Sequence, residues 1–390
     1  MIEYLLSQET QEYIKDHLND DPAELMLRSP LRSSEHFHLV LDQIKSKRKA
    51  KLKLPTWFEQ KGIVFPPPLS MEQCSSEETA KFKADLMSGR SFVDLTGGFG
   101  VDTFYLSSNF EQATYIEKQP NLVELAKHNF DALSAKISCI HTTAEDYLTS
   151  IDKVDWIYLD PARRDDNANK VFRLSDCTPD VETLQYELLK KSSNVLIKLA
   201  PLLDIKQTLR DLSNVANVYV LAFKNEVKEL LVHLKADYGE GVCVHCVNLK
   251  QNDKEVFDFS FDEEEGEVEL SALDTYLYEP NAAILKGGAF KSVARRFKLK
   301  KLHPNTHLYT SKELITDFPG RAFSLTKELP LNKKLKSQFP EMKANISTRN
   351  FPLSVKQIRA KTKIQEGGQA YIFAFTDIDK KRFVLCQKEY

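Results

Sequence analysis

Three short stretches of this chain carry side chains whose types and spacing suit chemistry. The first is Ser91-Phe-Val-Asp-Leu-Thr-Gly-Gly-Phe-Gly-Val-Asp-Thr103. Phe92 and Val93 read as the apolar end of a short buried strand, and Gly97, Gly98 and Gly100 as a turn leading into a helix. A turn without Cβ atoms lets a ligand approach the backbone closely. The helix that follows begins with unpaired N–H groups suited to a negative charge. The second stretch, Ala113-Thr-Tyr-Ile-Glu117-Lys118, is an apolar strand ending in a carboxylate 23 residues after Asp94. A carboxylate about 20 residues beyond a glycine turn is placed to accept hydrogen bonds from both hydroxyls of a ribose. The third, Val154-Asp-Trp-Ile-Tyr-Leu-Asp160-Pro161-Ala162-Arg163-Arg164, is an apolar strand ending in Asp-Pro. In open α/β sheets, that end of a strand is where ligands bind. These residues point to a nucleoside-bearing cofactor beside an acidic tip.

A dinucleotide site requires G-x-G-x-x-G directly after the strand. The order Asp94-x-Thr96-x-Gly98-x-Gly100 lacks that spacing, which disfavours a nicotinamide oxidoreductase. It resembles the first motif of class I S-adenosylmethionine (SAM)-dependent methyltransferases, with Thr96 where many members carry glycine. Asp160-Pro161-Ala162-Arg163 resembles the fourth motif of that family, Asp-Pro-Pro-aromatic, with Ala162 and Arg163 at the second proline and the aromatic. The resemblance implies SAM as cofactor, with contacts from Asp94, Thr96, Gly98, Phe99 and Gly100 in the loop and Glu117 and Lys118 after the second strand. Gln73 and Ser76, with Ser75, are implied at the methionine end. Near the adenine the register offers Thr143, Ala144 and Glu145, with Thr143, Glu145 or a backbone carbonyl alone as the polar contact. Asp160, Pro161 and Arg163 are implied as the catalytic positions. Arg163 and Arg164 would present planar donors to a phosphate or base edge, or pair with Asp165 and Asp166 in the loop.

The elements that must position these groups follow from periodicity. Residues 91–240 alternate strand and helix signals, with strands at Phe92–Leu95, Ala113–Ile116, Ile137–His141, Trp156–Leu159, Asn194–Leu199, Asn217–Ala222 and Leu230–Leu234. Such alternation implies a parallel sheet covered on both faces. The last two strands are separated only by a short turn at Lys224-Asn225, so they pair antiparallel. The expected fold is therefore α/β, a Rossmann-like class I methyltransferase sheet, parallel with a terminal antiparallel hairpin. A helical region, 1–65, precedes it, with an amphipathic turn-rich segment at Glu9–Leu18 and helices from Asp21-Pro22 and over Ser34–Lys53. The triple proline Pro66-Pro-Pro68 marks the boundary, which puts the SAM domain at 66–275.

The chain has 390 residues, 42% hydrophobic and 28% charged, a soluble globular composition. It shows no basic leader, no run of 18 apolar residues and only six scattered cysteines. The expectation is a cytoplasmic protein with reduced thiols and no membrane partner. Cys243-Val-His-Cys246 lacks a second Cys/His pair at finger spacing, and zinc wants four ligands, so no metal is expected. Cys177, the one cysteine near the acidic tip, is expected to be structural rather than a nucleophile.

The net charge of −2 conceals a sharp asymmetry. Residues 1–280 carry 31 Lys and Arg against 48 Asp and Glu; residues 281–390 carry 23 against 8. A basic tail of balance +15 suggests a polyanion-binding module. Tyr278-Glu-Pro-Asn281, Lys300-Lys-Leu-His-Pro-Asn305 and Phe318-Pro-Gly-Arg321 resemble bacterial methyltransferases that carry a ferredoxin-like piece (here 276–320) and a THUMP-like basic domain (321–390). Together these features imply methylation of structured RNA, at an rRNA or tRNA base, with RNA held by the tail and, as a second candidate face, Lys45–Lys53. The alternative is a non-catalytic RNA-binding protein on a degenerate methyltransferase fold. Oligomeric state is not legible.

Overall fold

In the computed structural model, the strand signals of 91–240 become seven strands, each within a few residues of its expected bounds. They are β1 (Gly89–Asp94), β2 (Phe110–Glu117), β3 (Ser138–His141), β4 (Val154–Leu159), β5 (Ser192–Leu199), β6 (Val215–Phe223) and β7 (Glu226–Lys235). The structure describes residues 1–29, 36–163, 173–332 and 335–390, with backbone alone at Arg163 and Lys336. Two compact units divide the chain: Met1–Ala216 with Leu230–Glu240, and Asn217–Glu229 with Gly241–Tyr390.

In the first unit, β3-β2-β1-β4-β5 form a parallel sheet, and β7 runs antiparallel against β5, with Lys198 opposite Leu231. The chain reverses between β6 and β7 at Lys224-Asn225, whose φ values of 51° and 63° are those of a two-residue hairpin turn. The core ends of these strands are apolar because both faces are covered: Ile157, Val195 and Ile197 are fully buried.

The helical region is not a separate body. Ile2, Ala50, Leu54, Trp57 and Val64 share one apolar cluster with Phe99, Val101, Tyr115, Ala126 and Phe130. Trp57 packs at 5.0 Å from Phe99 of the glycine turn and 5.6 Å from Phe104. Asp21 caps the helix Pro22–Arg28 as its sequence implies. The longer helix runs Phe37–Lys53, and the expected start at Ser34 lies outside the described residues.

In the second unit the sheet does not end at β6, as a terminal hairpin would have it. β8 (Cys243–Leu249) pairs with β6 in parallel, and β9 (Lys254–Ser260) pairs with β8 antiparallel. Then come β10 (Tyr276–Pro280), β11 (Lys300–His303), β12 (Thr306–Ser311), β13 (Gly320–Glu328), β14 (Asn345–Arg349), β15 (Tyr371–Thr376) and β16 (Lys381–Lys388). They form a seven-stranded sheet of order β11-β12-β10-β13-β16-β15-β14. β15 and β16 pair antiparallel, whereas β14 and β15 are parallel. Two short helices, Ala282–Gly287 and Ser292–Arg296, follow β10. Among the described residues no helix is long and apolar enough to cross a membrane, and no His, Cys, Asp or Glu cluster could hold a metal ion. His245 instead bonds Asp258 at 2.7 Å and stacks on Tyr219, and Cys246 is buried within β8.

One buried side chain ties the helical region to the sheet's covering helix. Asn129, in the helix Pro120–Ala132, donates to Val64 O at 2.9 Å and accepts from Val64 N at 3.0 Å. Removing it leaves a buried N–H and C=O without partners, which costs about 2–4 kcal/mol. We expect Asn129→Ala to lower the urea midpoint accordingly; an unchanged midpoint would show that the two segments are joined by apolar packing alone.

Candidate active site

β1 and β4 are neighbours in the sheet, with Asp94 opposite Tyr158, so their carboxyl ends lie side by side. Asp94 is buried, and its two oxygens are both occupied. Oδ1 accepts from Thr96 N at 2.9 Å, and Oδ2 accepts from Thr103 Oγ1 at 2.6 Å. Burial pushes the Asp94 carboxyl up to about 7, against the hydrogen bonds from Thr103 and Thr96.

The turn after β1 uses its glycines for different reasons. Gly97 sits against Tyr115, where an added Cβ would come within 2.1 Å of the ring. Gly100, at φ 88°, caps the helix Val101–Ser107 in the left-handed region. Gly98, also at positive φ, has open space where a Cβ would stand, its nearest neighbour there being Thr96 O at 3.8 Å. The turn therefore presents a bare backbone face. Glu117, at the end of β2, is buried beside it. Its carboxylate accepts from Gly98 N at 3.0 Å and from Gln119 N at 2.9 Å, which holds both oxygens in place.

Thr96, the residue that replaces a family glycine, joins the two strand ends. Its Oγ1 accepts from Asp160 N at 2.6 Å. The Asp160 side chain, about one-third exposed, pairs with Lys198 at the end of β5. Lys198 also lies 4.0 Å from Asp102, which is buried with Lys83 at 3.1 Å. Ser75 and Tyr158 hydroxyls each donate to Asp102 Oδ2 at 2.8 Å. Burial alone would raise the Asp102 carboxyl, but the charges of Lys83 and Lys198 and these two hydroxyls hold it below the ordinary carboxylate range.

The other expected contacts fall as follows. Gln73 is exposed, and Ser76 caps the helix Glu77–Leu86 by accepting from Thr79 N at 3.2 Å. Phe99 is turned into the apolar cluster with Trp57 and Phe65. Lys118 is exposed, its carbonyl 3.1 Å from His141 Nε2. Thr143 caps the helix Ala144–Ser150, accepting from Asp146 N at 3.1 Å; Ala144 is buried and Glu145 exposed. Thr142 N donates to Glu117 O at 3.2 Å, which brings this segment beside the end of β2. Pro161 is half-buried, and the Arg163 backbone pairs with that of Cys177. The Arg163 side chain, with Arg164, Asp165 and Asp166, lies outside the described residues. Cys177 is buried and forms no disulfide.

Sequence reasoning passed over Lys83, Asp102, Tyr158 and Lys198. A signal existed: Lys198 interrupts the apolar run Val195–Leu199 at the rim that carries Asp160, and an ionisable group inside a buried strand needs a partner. In the Lys45–Lys53 run, Arg48 bonds Leu18 O, Lys49 pairs with Glu72, and Lys53 donates to Glu72 O at 2.7 Å. Those three cations are tied to Leu18 and to the segment around Glu72, and Lys45 and Lys51 remain exposed.

Residues 276–319 match a ferredoxin-like domain family and residues 320–388 a THUMP domain-like family. The whole chain is similar to a crystal structure from Porphyromonas gingivalis W83 designated a methyltransferase. Identity is 35%, the match covers 100% of this chain and 99% of that one, and the TM-score is 0.89. A Listeria monocytogenes protein designated a class I SAM-dependent methyltransferase is 13% identical over 62% of this chain and 94% of that one, with a TM-score of 0.36. A T. thermophilus 16S rRNA N2 G1207 methyltransferase, solved with AdoMet and guanosine, is 14% identical over 44% of this chain and 43% of that one, with a TM-score of 0.33. No curated protein matches the sequence.

The buried Asp94 has a pH signature. Its folded carboxyl holds a proton up to about pH 7, whereas the unfolded one releases it near 3.8. The stability it contributes is therefore complete below the unfolded value and is lost as pH rises through about 7. We expect Asp94→Asn, compared with wild type in urea melts, to gain roughly 1–4 kcal/mol in relative stability between pH 4 and pH 8. A difference that stays flat across this range would show that Asp94 is ionised throughout.

Proposed function

The chain belongs to the bacterial class I SAM-dependent methyltransferases with C-terminal ferredoxin-like and THUMP-like domains, and on that premise we propose that it methylates a base of structured RNA. What supports this reading most is the hydrogen bond from Asp160 N to Thr96 Oγ1, which ties the glycine turn to the acidic tip. In this reading residues 66–275 carry the chemistry on the support of the helical region 1–65. Residues 276–320 and 321–390, rich in Lys and Arg, bind the RNA.

The groups present fit SAM. The open backbone face at Gly98 accepts a close-lying ligand, and Glu117, immobilised by two N–H donors, offers its remaining lone pairs to a ribose diol. The carboxylates of Glu117 and Asp160 suit a cationic sulfonium. SAM, when bound, supplies a methyl group already activated for transfer. The protein's own part is then alignment. Asp160, fixed through its N–H by Thr96 and through its carboxylate by Lys198, orients the acceptor atom. Gln73, Ser76, Lys118, Thr143, Ala144 and Glu145 complete the proposed cofactor contacts, and Pro161 and Arg163 flank the acceptor.

The pairing of Asp160 with Lys198 favours a second reading. A carboxylate already engaged by a lysine has fewer positions for an acceptor, as in an RNA-binding protein that has lost catalysis. Two measurements decide between these readings. Calorimetry is expected to detect SAM binding, weakened about 10- to 100-fold by Glu117→Ala through the loss of charge-assisted hydrogen bonds. Labelled SAM is expected to transfer its methyl group to total RNA from a strain lacking this protein. Binding without transfer supports the second reading, and the absence of SAM binding overturns the first.

A further inference from the structure

In the second unit, one buried carboxylate gathers two arginines. Glu279 of β10 is 3% exposed. Arg321 stands directly opposite it on β13 and donates to Oε2 from Nε at 3.1 Å and also from Nη2. Arg349 Nη2 and Ser347 Oγ, two residues apart on β14, donate to Oε1 at 2.7 and 3.1 Å. The order of the sheet puts β14 at one end and β10 in its interior, so the sheet curls to bring these side chains together. Further bonds close that curl: Asn350 Nδ2 reaches Thr306 Oγ1 at 3.2 Å, and Thr306 Oγ1 donates to Thr376 O at 2.6 Å.

A buried carboxylate needs one cation to balance it, and this one has two. Both arginine side chains remain about one-third exposed, at 35% and 36%. Arg321 Nη1 and Arg349 Nε make no hydrogen bond among the described residues. Each arginine is immobilised on one edge with donors left over on another, and the cluster keeps one net positive charge. The Arg321 guanidinium is further confined beside the rings of Phe323 and Tyr371, at 5.6 and 5.8 Å. Near Arg349 lies His307, stacked on Phe290 with ring centroids 3.5 Å apart, and its buried Nδ1 has no hydrogen-bond partner among the described residues. Burial, with Lys301 and Arg349 close by, pushes the His307 imidazole down to about 4, so it is neutral at pH 7.

Two planar, pre-oriented forks with spare N–H donors and excess positive charge match a tetrahedral oxyanion. We propose that Glu279, Arg321 and Arg349 form a phosphate-binding site, which on the RNA reading above takes a backbone phosphodiester of the substrate. Glu279 acts as the positioning residue: it does not meet the phosphate but sets the angle of both forks. A carboxylate ligand would fit one fork equally well, but a phosphate offers enough oxygens for both. The +15 balance of residues 281–390 also favours a polyanion.

The test uses the full chain and two probes, inorganic phosphate and a fluorescein-labelled RNA hairpin. Arginine Nε resonances of the wild-type protein, labelled with nitrogen-15, are followed during each titration. We expect the Arg321 and Arg349 signals to shift and saturate with both probes. In anisotropy measurements, Arg321→Gln/Arg349→Gln is expected to weaken hairpin binding about tenfold and to reduce the salt slope by about 1 to 2. Arg321→Lys/Arg349→Lys, which keeps the charge without the fork, is expected to recover the salt slope but not the whole affinity. If phosphate shifts the two arginines and the hairpin does not bind, the site stands and its ligand is a phosphate-bearing small molecule; the RNA reading then fails. If the hairpin binds but neither arginine responds to either probe, the site is overturned and the RNA reading survives. Equal hairpin affinity in wild type and a Gln/Gln variant of unchanged melting temperature also overturns it. SAM calorimetry on the same variant is expected to match wild type.

Discussion

The first unit depends on how three carboxylates at one sheet rim are kept tolerable. Asp94 and Asp102 are buried within one turn of chain, and Asp160 stands on the neighbouring strand end. Unpaired, such charges would disfavour the fold strongly. Each has a different solution: Asp94 takes two hydrogen bonds and a raised affinity for a proton, Asp102 takes two lysines and two hydroxyls, and Asp160 takes Lys198. Lys198 touches two of the three, so β5 contributes to this edge as much as β1 and β4 do. The same interactions that make the edge stable also fix where its free lone pairs point.

That constraint explains why the helical region is built into the unit. The glycine turn must be bare on its ligand side, so it can be held only from behind. Tyr115, Phe130 and Trp57 do so: Tyr115 fills the space beside Gly97 and donates to Gly98 O at 2.7 Å, Phe130 lies against Gly100, and Trp57 covers Phe99. Trp57 comes from the first 65 residues, which makes that region part of the turn's support. Phe99 illustrates the trade: a side chain next to the proposed cofactor face is used as an anchor in the core, leaving its backbone to do the facing.

The second unit repeats this logic with opposite charge. A single carboxylate, Glu279, organises two arginines drawn from strands at different places in the sheet order. Segments matching two separate domain families, 276–319 and 320–388, contribute strands to this one sheet, so Glu279 and its arginines link the two matches physically. Its basic composition alone would allow a uniformly charged surface. The fold instead concentrates orientation at a few fixed forks.

The sequence by itself determined the seven strands of 91–240, the glycine turn, the carboxylates at the ends of β1, β2 and β4, and the reversal at Lys224-Asn225. All of these are local: short apolar runs bounded by turn residues, the freedom of glycine, and a two-residue turn are legible within a few residues. Tertiary structure alone decided which polar groups meet. Thr96 and Asp160 are separated by 64 residues, Lys198 and Asp160 by 38, and Arg349 and Glu279 by 70. No spacing rule connects such pairs, because strand order and sheet curl set their approach, and several orders are compatible with the same periodicity. The continuation of the sheet past β6 and the merging of the helical region into the core were hidden for the same reason: apolar faces announce that they will be buried, but not against what.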